Sequence, residues 1–507
     1  MNVASAEFLI FTLISVIFYY AIPVRYRWFV LLLSSIAFIM SSNGLLLVLV
    51  MLITTTVTYF AGVLLAQNRK KWILAIALLI NMGVLIFFKE INFFVGTTRG
   101  IFHLMGGAFP VKKFDILAPL GISYYTLNMV SYLLDLYWGI GVVQKNYMKF
   151  MLFAGYFPAM TSGPLLRYRE IGEKLYDGHR FHYITMCHGF QRILWGFFKK
   201  FVLAERLAVV VNTIYGNYTD YNGLYIIIAM LCFTLQLYTD FSGCIDIVLG
   251  VSELFGIRLS ENFDLPFTSK SVSEFWRRWH ITLGAWLKDY VLYPILKSSP
   301  WQKLGAKMKK RFGKKYGKKI PVWLGLFLSW FLIGMWHGGA WNYIVGVGLL
   351  MWLFIVLGEL CEPLFGWLIR KLRINTECFS WRLFQSVRTF CCFVIGLSLF
   401  RSYGGLMEGM KIWKSALSTF NPQILLDGSL LKLGLDAKEM GVLVAALCVL
   451  AISGILRIYL KRPLRDWLAE QNTAFRWIVL YILAFAVIIF GCYGIGYDSS
   501  AFIYEAF

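Results

Sequence analysis

Thirteen apolar runs punctuate this chain, and they exclude most soluble folds. They lie at about 6–23, 27–41, 43–66, 72–88, 117–138, 149–161, 184–213, 222–250, 321–336, 341–360, 384–400, 440–460 and 477–495. A membrane-spanning helix needs about 20 predominantly apolar residues. Inside lipid the backbone must satisfy its own hydrogen bonds, so the helix is the default spanning element. The runs are continuous and do not alternate at period two, which argues against a β-barrel. Composition agrees: 59% of the 507 residues are hydrophobic and 15% charged, against roughly 45–50% and 25% in soluble domains. The expectation is one all-α polytopic membrane domain over 1–507. Several runs are short, so about eleven true crossings are expected, with partial or re-entrant helices beside them.

The net charge of +22 has its basic residues at the ends of apolar runs. That is the pattern of positive-inside topology rather than of nucleic-acid binding. Arg25 and Arg27 follow the first run, and Arg69, Lys70 and Lys71 the third. The segment 303–319, KLGAKMKKRFGKKYGKK, carries nine Lys or Arg and reads as a cytoplasmic loop. Arg370, Lys371 and Arg373 follow two runs later, then Lys461, Arg462 and Arg465 after two more. Both termini are therefore expected outside. The longest outer connection is 401–439. A second role for the basic segments, holding an anionic donor such as a coenzyme or a carrier protein, stays open. The start, MNVASAEFLIF, lacks a basic n-region and reads as a retained span. The nine cysteines form no CxxC pair and read as small core residues. No internal repeat is evident.

Against this background GMWHGGAWNY, 334–343, stands out. It closes sixteen residues, Pro321 to Trp336, that contain no charged side chain. Sixteen helical residues rise about 24 Å at ~1.5 Å each, inside a hydrocarbon core of about 30 Å. His337 therefore lies within the membrane or near its outer boundary. Gly338 and Gly339 allow the helix to end or another group to approach closely. An intramembrane ionisable residue is a functional candidate; the alternative is a histidine hydrogen-bonded inside a helix bundle.

The second histidine in such a setting is His280, in ENFDLPFTSKSVSEFWRRWHITLGAWLKDYVLYP, 261–294. Ser271 and Glu274 fit a capping box, and Glu274 sits four residues before Arg278. On a continuous helix Trp276, His280, Leu283 and Leu287 share one face, with Arg277, Lys288 and Asp289 off it. The segment reads as an amphipathic helix at the membrane surface with aromatic anchors. His103, His179, His182 and His188 lie in or beside polar connections. Two histidines without a Cys, Asp or Glu cluster do not make a metal site, and no nucleophile elbow, P-loop or dinucleotide fingerprint appears in context. What remains is general-base chemistry, in which a neutral imidazole takes the proton of a hydroxyl as it attacks an activated acyl group.

The order of motifs resembles the membrane-bound O-acyltransferases, specifically the bacterial branch that O-acetylates alginate, related to the teichoic acid D-alanyltransferases. The matching stretches are LAPLGISYYTLNMVSYLLDLY (117–137), YFPAMTSGPLLRYREI (156–171), FTLQLYTDFSGCIDIVLGVSELFGI (233–257), the 261–294 segment and GMWHGGAWNY. They run in order over about 120–345. The resemblance implies that His337 is the catalytic histidine and His280 the second signature residue. It implies a ring of tilted helices around a thinned centre, with a cytoplasmic donor tunnel and an outer funnel. Trp336, Trp276, Asp240, Ser242, Asn262, Arg167 and Arg278 are the tunnel and donor-side candidates. Asp240, Ser242 and Asp246 either line that tunnel or lock helices together. Arg167 and Arg169 either steer an anionic donor or anchor the topology, and Asn262 and Pro266 shape the loop before His280. The chain ends FIYEAF, 502–507, which resembles a terminal F-x-Y-x-x-F pattern of this branch. There Tyr504 is a candidate acyl relay; the alternative is a tyrosine of an interfacial belt.

The resemblance further implies no bound cofactor, with acetyl-CoA or an acyl-carrier thioester as donor substrate. It implies a location in the bacterial cytoplasmic membrane and an extracytoplasmic SGNH-type acetyltransferase partner completing transfer to polysaccharide. Two alternatives stand beside acetyl transfer: D-alanyl transfer to teichoic acid and, in another class, a multipass transporter.

Overall fold

Residues 2–42, 44–402 and 404–493 are described by a computed structural model. Among them there is no strand, only helices joined by turns and short irregular segments. Among the described residues nine helices are long and apolar enough to cross a membrane, from Val24–Ser41 to Thr473–Phe490. The remaining apolar runs are shorter or interrupted. Ala6–Ala21 has 16 residues and Ile122–Trp138 has 17, short of a full span on length alone. The run at 184–213 is broken by a π-helical turn, Phe198–Ala204, that carries buried charge. The run at 149–161 does not cross at all: it is an eight-residue helix, Tyr147–Ala154, followed by a single 3-10 turn, Phe157–Ala159.

The centre of the molecule is a crossing of two helices, Tyr183–Phe197 and Leu224–Leu254. They meet through paired glycines. A Cβ on Gly196 would come within 2.6 Å of the Gly243 carbonyl oxygen, and one on Gly250 within 2.6 Å of the Gly189 carbonyl. Any larger residue would push the backbones apart, and close backbone approach through small residues is the main source of helix adhesion in lipid. A ladder of charge runs along the same seam. Lys200 pairs with Asp240 at 2.7 Å and Glu205 at 2.8 Å. Lys199 reaches Asp246 at 2.5 Å and donates to the Ser242 hydroxyl at 2.9 Å. Arg192 bridges Asp246 at 2.9 Å and Glu261 at 2.5 Å. Buried charges are tolerable only when paired in this way.

The outer members are far less covered. Only 11% of the apolar window in Ala437–Leu460 and 6% of that in Thr473–Phe490 is buried, against 56% in Leu224–Leu254. These two helices therefore sit at the periphery.

The basic segment 303–319 is not a loop. It belongs to a helical stretch, Ser299–Trp336, interrupted only at Gly313, whose φ of 72° is non-helical. The chain reverses there. The Trp301 indole N–H donates to the Pro321 carbonyl at 2.9 Å, and a Cβ on Gly317 would press on Lys309 and Met308. The result is a helical hairpin whose second arm, 314–336, carries the apolar span and ends at His337. Gly313 is the residue that permits the reversal, since φ near +70° is costly for any residue with a Cβ.

Candidate active site

His337 follows the last helical residue of that arm. Its N–H still accepts the helix pattern, donating to the Ile333 carbonyl at 3.3 Å, while Gly338 and Gly339 leave the helix with φ of 134° and 55°. Gly339 is required twice over. Its φ is left-handed, and a Cβ there would strike the Glu90 carboxylate and lie 2.9 Å from the Phe93 Cβ. The following residues brace the turn. Trp341 donates to the Thr97 hydroxyl at 3.1 Å. Asn342 donates to the Ser402 carbonyl at 3.0 Å, near the end of Phe379–Phe400, and so holds Phe400, whose ring centroid is 5.7 Å from that of His337.

His280 does not sit on a continuous helix. The helix capped by Ser271 runs only Val272–Arg278, and a second begins at Ile281. Between them His280 adopts φ 46°, ψ 51°, a left-handed conformation. The cap itself follows the sequence pattern: the Ser271 hydroxyl accepts from Glu274 N–H at 3.1 Å, and Glu274 pairs with Arg278 at 2.8 Å. The expected amphipathic surface helix is thus corrected to two short helices sunk into the protein. Trp279 is buried, and Trp276 stacks edge-on against Trp330 at 4.8 Å and packs on Phe393 at 5.8 Å. These tryptophans are core residues and not interfacial anchors.

The reason for the break is Asn262, wholly buried. Its carbonyl accepts from Ile281 N–H at 3.1 Å, and its side-chain oxygen accepts from Thr282 N–H at 3.0 Å and the Thr282 hydroxyl at 2.9 Å. Asp264 N–H donates to the Arg278 carbonyl at 2.9 Å. The strand-like segment 262–264 therefore competes with helix formation across 279–282 and wins by supplying tertiary partners. The cost of a left-handed non-glycine residue, of order 1–3 kcal/mol, is tolerated mostly at functional positions.

The two histidines meet through one indole. Trp336 lies 5.0 Å from His337 and 5.8 Å from His280, centroid to centroid, with both imidazoles edge-on. Phe241 closes the other side of His280 at 4.9 Å. Its neighbours Asp240 and Ser242 point instead into the charged seam described above. Arg167 pairs with Asp289 at 2.7 Å and lies over the Tyr290 ring. Arg169 approaches Asp135 at 3.7 Å. Arg278 donates to the Thr268 hydroxyl at 3.1 Å besides its pair with Glu274. Of the sequence candidates, then, His337, Trp336, His280 and Asn262 form one contiguous group. Trp276 packs on Trp330 and Phe393, while Asp240, Ser242, Arg167 and Arg278 are engaged in ion pairs or hydrogen bonds elsewhere. Tyr504 lies outside the described residues.

A cavity of about 400 Å³ opens beside His337. Phe88, Lys89, residues 118–124, Thr161, Trp336, His337 and Gly338 line it. His337 itself is 3% exposed, so the imidazole is reached through this cavity and not from open solvent. The apolar pattern of the sequence ends at Phe88 and so leaves Lys89 and Glu90 outside the run. The helix in fact continues to Leu104 through a π-helical turn, Ile86–Glu90. The available signal was a Lys-Glu pair set inside an apolar stretch.

The family model for the membrane-bound O-acyltransferases matches residues 142–307, which include His280 and stop short of His337. A probable alginate O-acetylase of Pseudomonas syringae pv. tomato is 31% identical over 395 residues, covering 78% of this chain and 69% of its own length. A probable alginate O-acetylase of Azotobacter vinelandii is 30% identical over 456 residues, covering 87% and 82%. A teichoic acid D-alanyltransferase of Bacillus subtilis is 29% identical over 242 residues, covering 46% and 56%.

Proposed function

The chain belongs to the membrane-bound O-acyltransferase family, and from that premise we propose that this multi-pass membrane acyltransferase carries an acetyl group from a cytoplasmic thioester across the membrane, for O-acetylation of an extracytoplasmic polysaccharide. The observation that carries the reading is His337, an imidazole at the end of a span, lining a cavity of about 400 Å³. The site needs only a base, an acyl thioester and a hydroxyl. His337 takes the hydroxyl proton as the oxygen attacks the thioester carbon, and returns it to the departing thiolate. His280, held by Asn262, packs on the same Trp336 indole as His337 and positions that indole at the cavity wall.

Sidedness follows from charge. The basic hairpin and the clusters at 25–27, 69–71, 370–373 and 461–465 mark the cytoplasmic face. Both termini then lie outside, which requires an even number of crossings. Counting Ala6–Ala21, Ile122–Trp138 and the composite helix 183–216 with the nine long helices satisfies that parity. His337 lies far from the basic hairpin on the same arm, so donor and acceptor approach from opposite faces. A protein that moves only an acyl group through a fixed hole has no need to alternate its access.

Acetyl-CoA is the simplest donor and acyl-carrier thioester the alternative. An SGNH-type partner completes transfer to the sugar, and Tyr504 serves as the temporary acceptor on the outer face. Acetyl cargo is favoured over D-alanyl because the acetylating relatives are matched over far more of both chains. The test is a proteoliposome assay with [14C]acetyl-CoA supplied on the side of the basic hairpin. Hydroxylamine-labile label should appear on the protein and vanish in Tyr504→Phe. Label reaching acceptor polymer at the wild-type rate in Tyr504→Phe removes the relay; no acetyl-CoA consumption by the wild type, with D-alanyl-carrier consumed instead, reassigns the cargo.

A further inference from the structure

The cavity beside His337 holds a single charged side chain among its lining residues, Lys89. It arrives by an unusual route. Helix Lys71–Leu85 runs into the π-helical turn Ile86–Glu90 before continuing as Ile91–Leu104. Such turns insert a residue and re-aim side chains, and they recur at functional sites. Here the turn sends consecutive residues to two sides of the His337 loop. Glu90, 3% exposed, lies against Gly339. Lys89 faces the cavity, where its ammonium donates to the Ser123 hydroxyl at 3.2 Å and lies 5.4 Å over the Trp336 ring. Both Ser123 and Trp336 also line the cavity. Among the described residues the Lys89 ammonium has no ion pair within 4.0 Å. Lys199 and Lys200, the lysines fully buried among the described residues, are by contrast clamped by carboxylates.

Depth agrees. Lys89 lies eighteen residues beyond Lys71, about 27 Å along a helix, and His337 about 24 Å beyond Pro321, at ~1.5 Å per residue. Two helices entering from the same face thus bring a cation and an imidazole to one level, on one indole and one cavity.

Resting on the acyl-transfer reading above, we infer that Lys89 is a further catalytic residue, whose ammonium stabilises the oxyanion of the tetrahedral intermediate. The balance is simple. The acceptor oxygen forms a bond to the thioester carbon, its proton goes to His337, and the carbonyl π pair moves onto the carbonyl oxygen, which becomes the anion that Lys89 meets. Collapse re-forms the carbonyl, breaks the carbon–sulfur bond, and the proton on His337 passes to the departing thiolate. Nothing is oxidised or reduced. A cation fixed where charge develops, in a water-poor site, acts mainly on the transition state. The span from base nitrogen to ammonium through such an intermediate is about 6–7 Å, counting hydrogen bonds of ~2.8 Å at each end, which a lysine stem can adjust to. The Ser123 hydroxyl and the Trp336 face keep the ammonium placed between turnovers.

The experiment is steady-state kinetics on full-length protein in nanodiscs with acetyl-CoA, comparing wild type, Lys89→Met, Lys89→Gln and Lys89→Arg. The expected result is a loss of about 10²–10³ in kcat for Met and Gln, with KM for acetyl-CoA within about threefold of wild type, and recovery of at least tenfold by Arg. Folding is checked by thermal unfolding of each variant, and Gln keeps a polar group of similar length where Met fails to fold. A Met or Gln variant with wild-type kcat overturns the inference, as does a change confined to KM, or a loss that Arg does not recover in a folded protein. A wild type that consumes no acetyl-CoA overturns the parent reading instead, and this inference falls with it.

Discussion

Asn262→Ala should disable the site without touching either histidine. The Asn262 side-chain oxygen accepts two hydrogen bonds from Thr282, through N–H at 3.0 Å and hydroxyl at 2.9 Å, in a place with no access to water. Thr282 in turn accepts from Leu165 N–H at 3.0 Å, so its hydroxyl cannot simply swing away. Truncation leaves a buried N–H without an acceptor, at about 1–3 kcal/mol, and forfeits the net worth of the second bond, about 1 kcal/mol. The sum, about 2–4 kcal/mol, is felt where the chain is already strained, at the left-handed His280. With that restraint gone, 279–282 can revert to ordinary helix and rotate the imidazole off Trp336. If the whole penalty appears as loss of the active arrangement, turnover falls by roughly 30- to 1,000-fold, since each 1.4 kcal/mol is a factor of ten. Asn262→Asp retains the acceptor oxygens but buries a carboxyl with no cationic partner, so it should recover activity only in part. The assay is acetyl-CoA consumption in nanodiscs, with thermal unfolding measured alongside. Full activity and unchanged unfolding in Asn262→Ala would refute the idea that this side chain holds the His280 turn.

Other expectations follow from the same geometry. His280→Asn keeps a residue tolerant of left-handed backbone, so it should fold like wild type while losing at least tenfold in turnover; equal turnover would show that the imidazole itself is dispensable. Gly339→Ala must displace Glu90 and adopt φ 55°, so activity should drop, with partial recovery in the double variant Gly339→Ala, Glu90→Gln if the carboxylate is the obstacle. Asp240→Ala breaks a buried pair with Lys200, and such breakage costs about 3–5 kcal/mol. A lowered unfolding temperature is expected with KM unchanged. Gly313→Ala, at the tip of the basic hairpin, should cost about 1–3 kcal/mol of local strain and leave turnover intact. A strong loss of turnover would place the hairpin in the reaction.

The spans were readable because apolar runs of this length have few alternatives, and His337 because the sequence lets its depth be counted from Pro321. The family resemblance added the pairing of His337 with His280. What sequence did not reveal has particular causes. The break at His280 is imposed by Asn262, eighteen residues earlier, and nothing in WRRWHITLG forbids a continuous helix. The π-helical turn at 86–90 has no local signature, so Lys89 and Glu90 read as the end of a span. The basic segment looked like a loop because charge outweighed its helical neighbours, and only the left-handed Gly313 reveals the hairpin. The glycine crossing was legible in principle. Both helices carry glycines seven apart, 189 and 196 in one and 243 and 250 in the other, a spacing that keeps each pair on one face.

The most direct measurement is single-turnover consumption of acetyl-CoA by wild type and His337→Ala, each reconstituted at equal protein with matched unfolding temperatures. Thiol release is expected from the wild type, with a fall of at least a hundredfold in the variant. Equal thiol release by both proteins would contradict that expectation, because the cavity would then have no base at its floor.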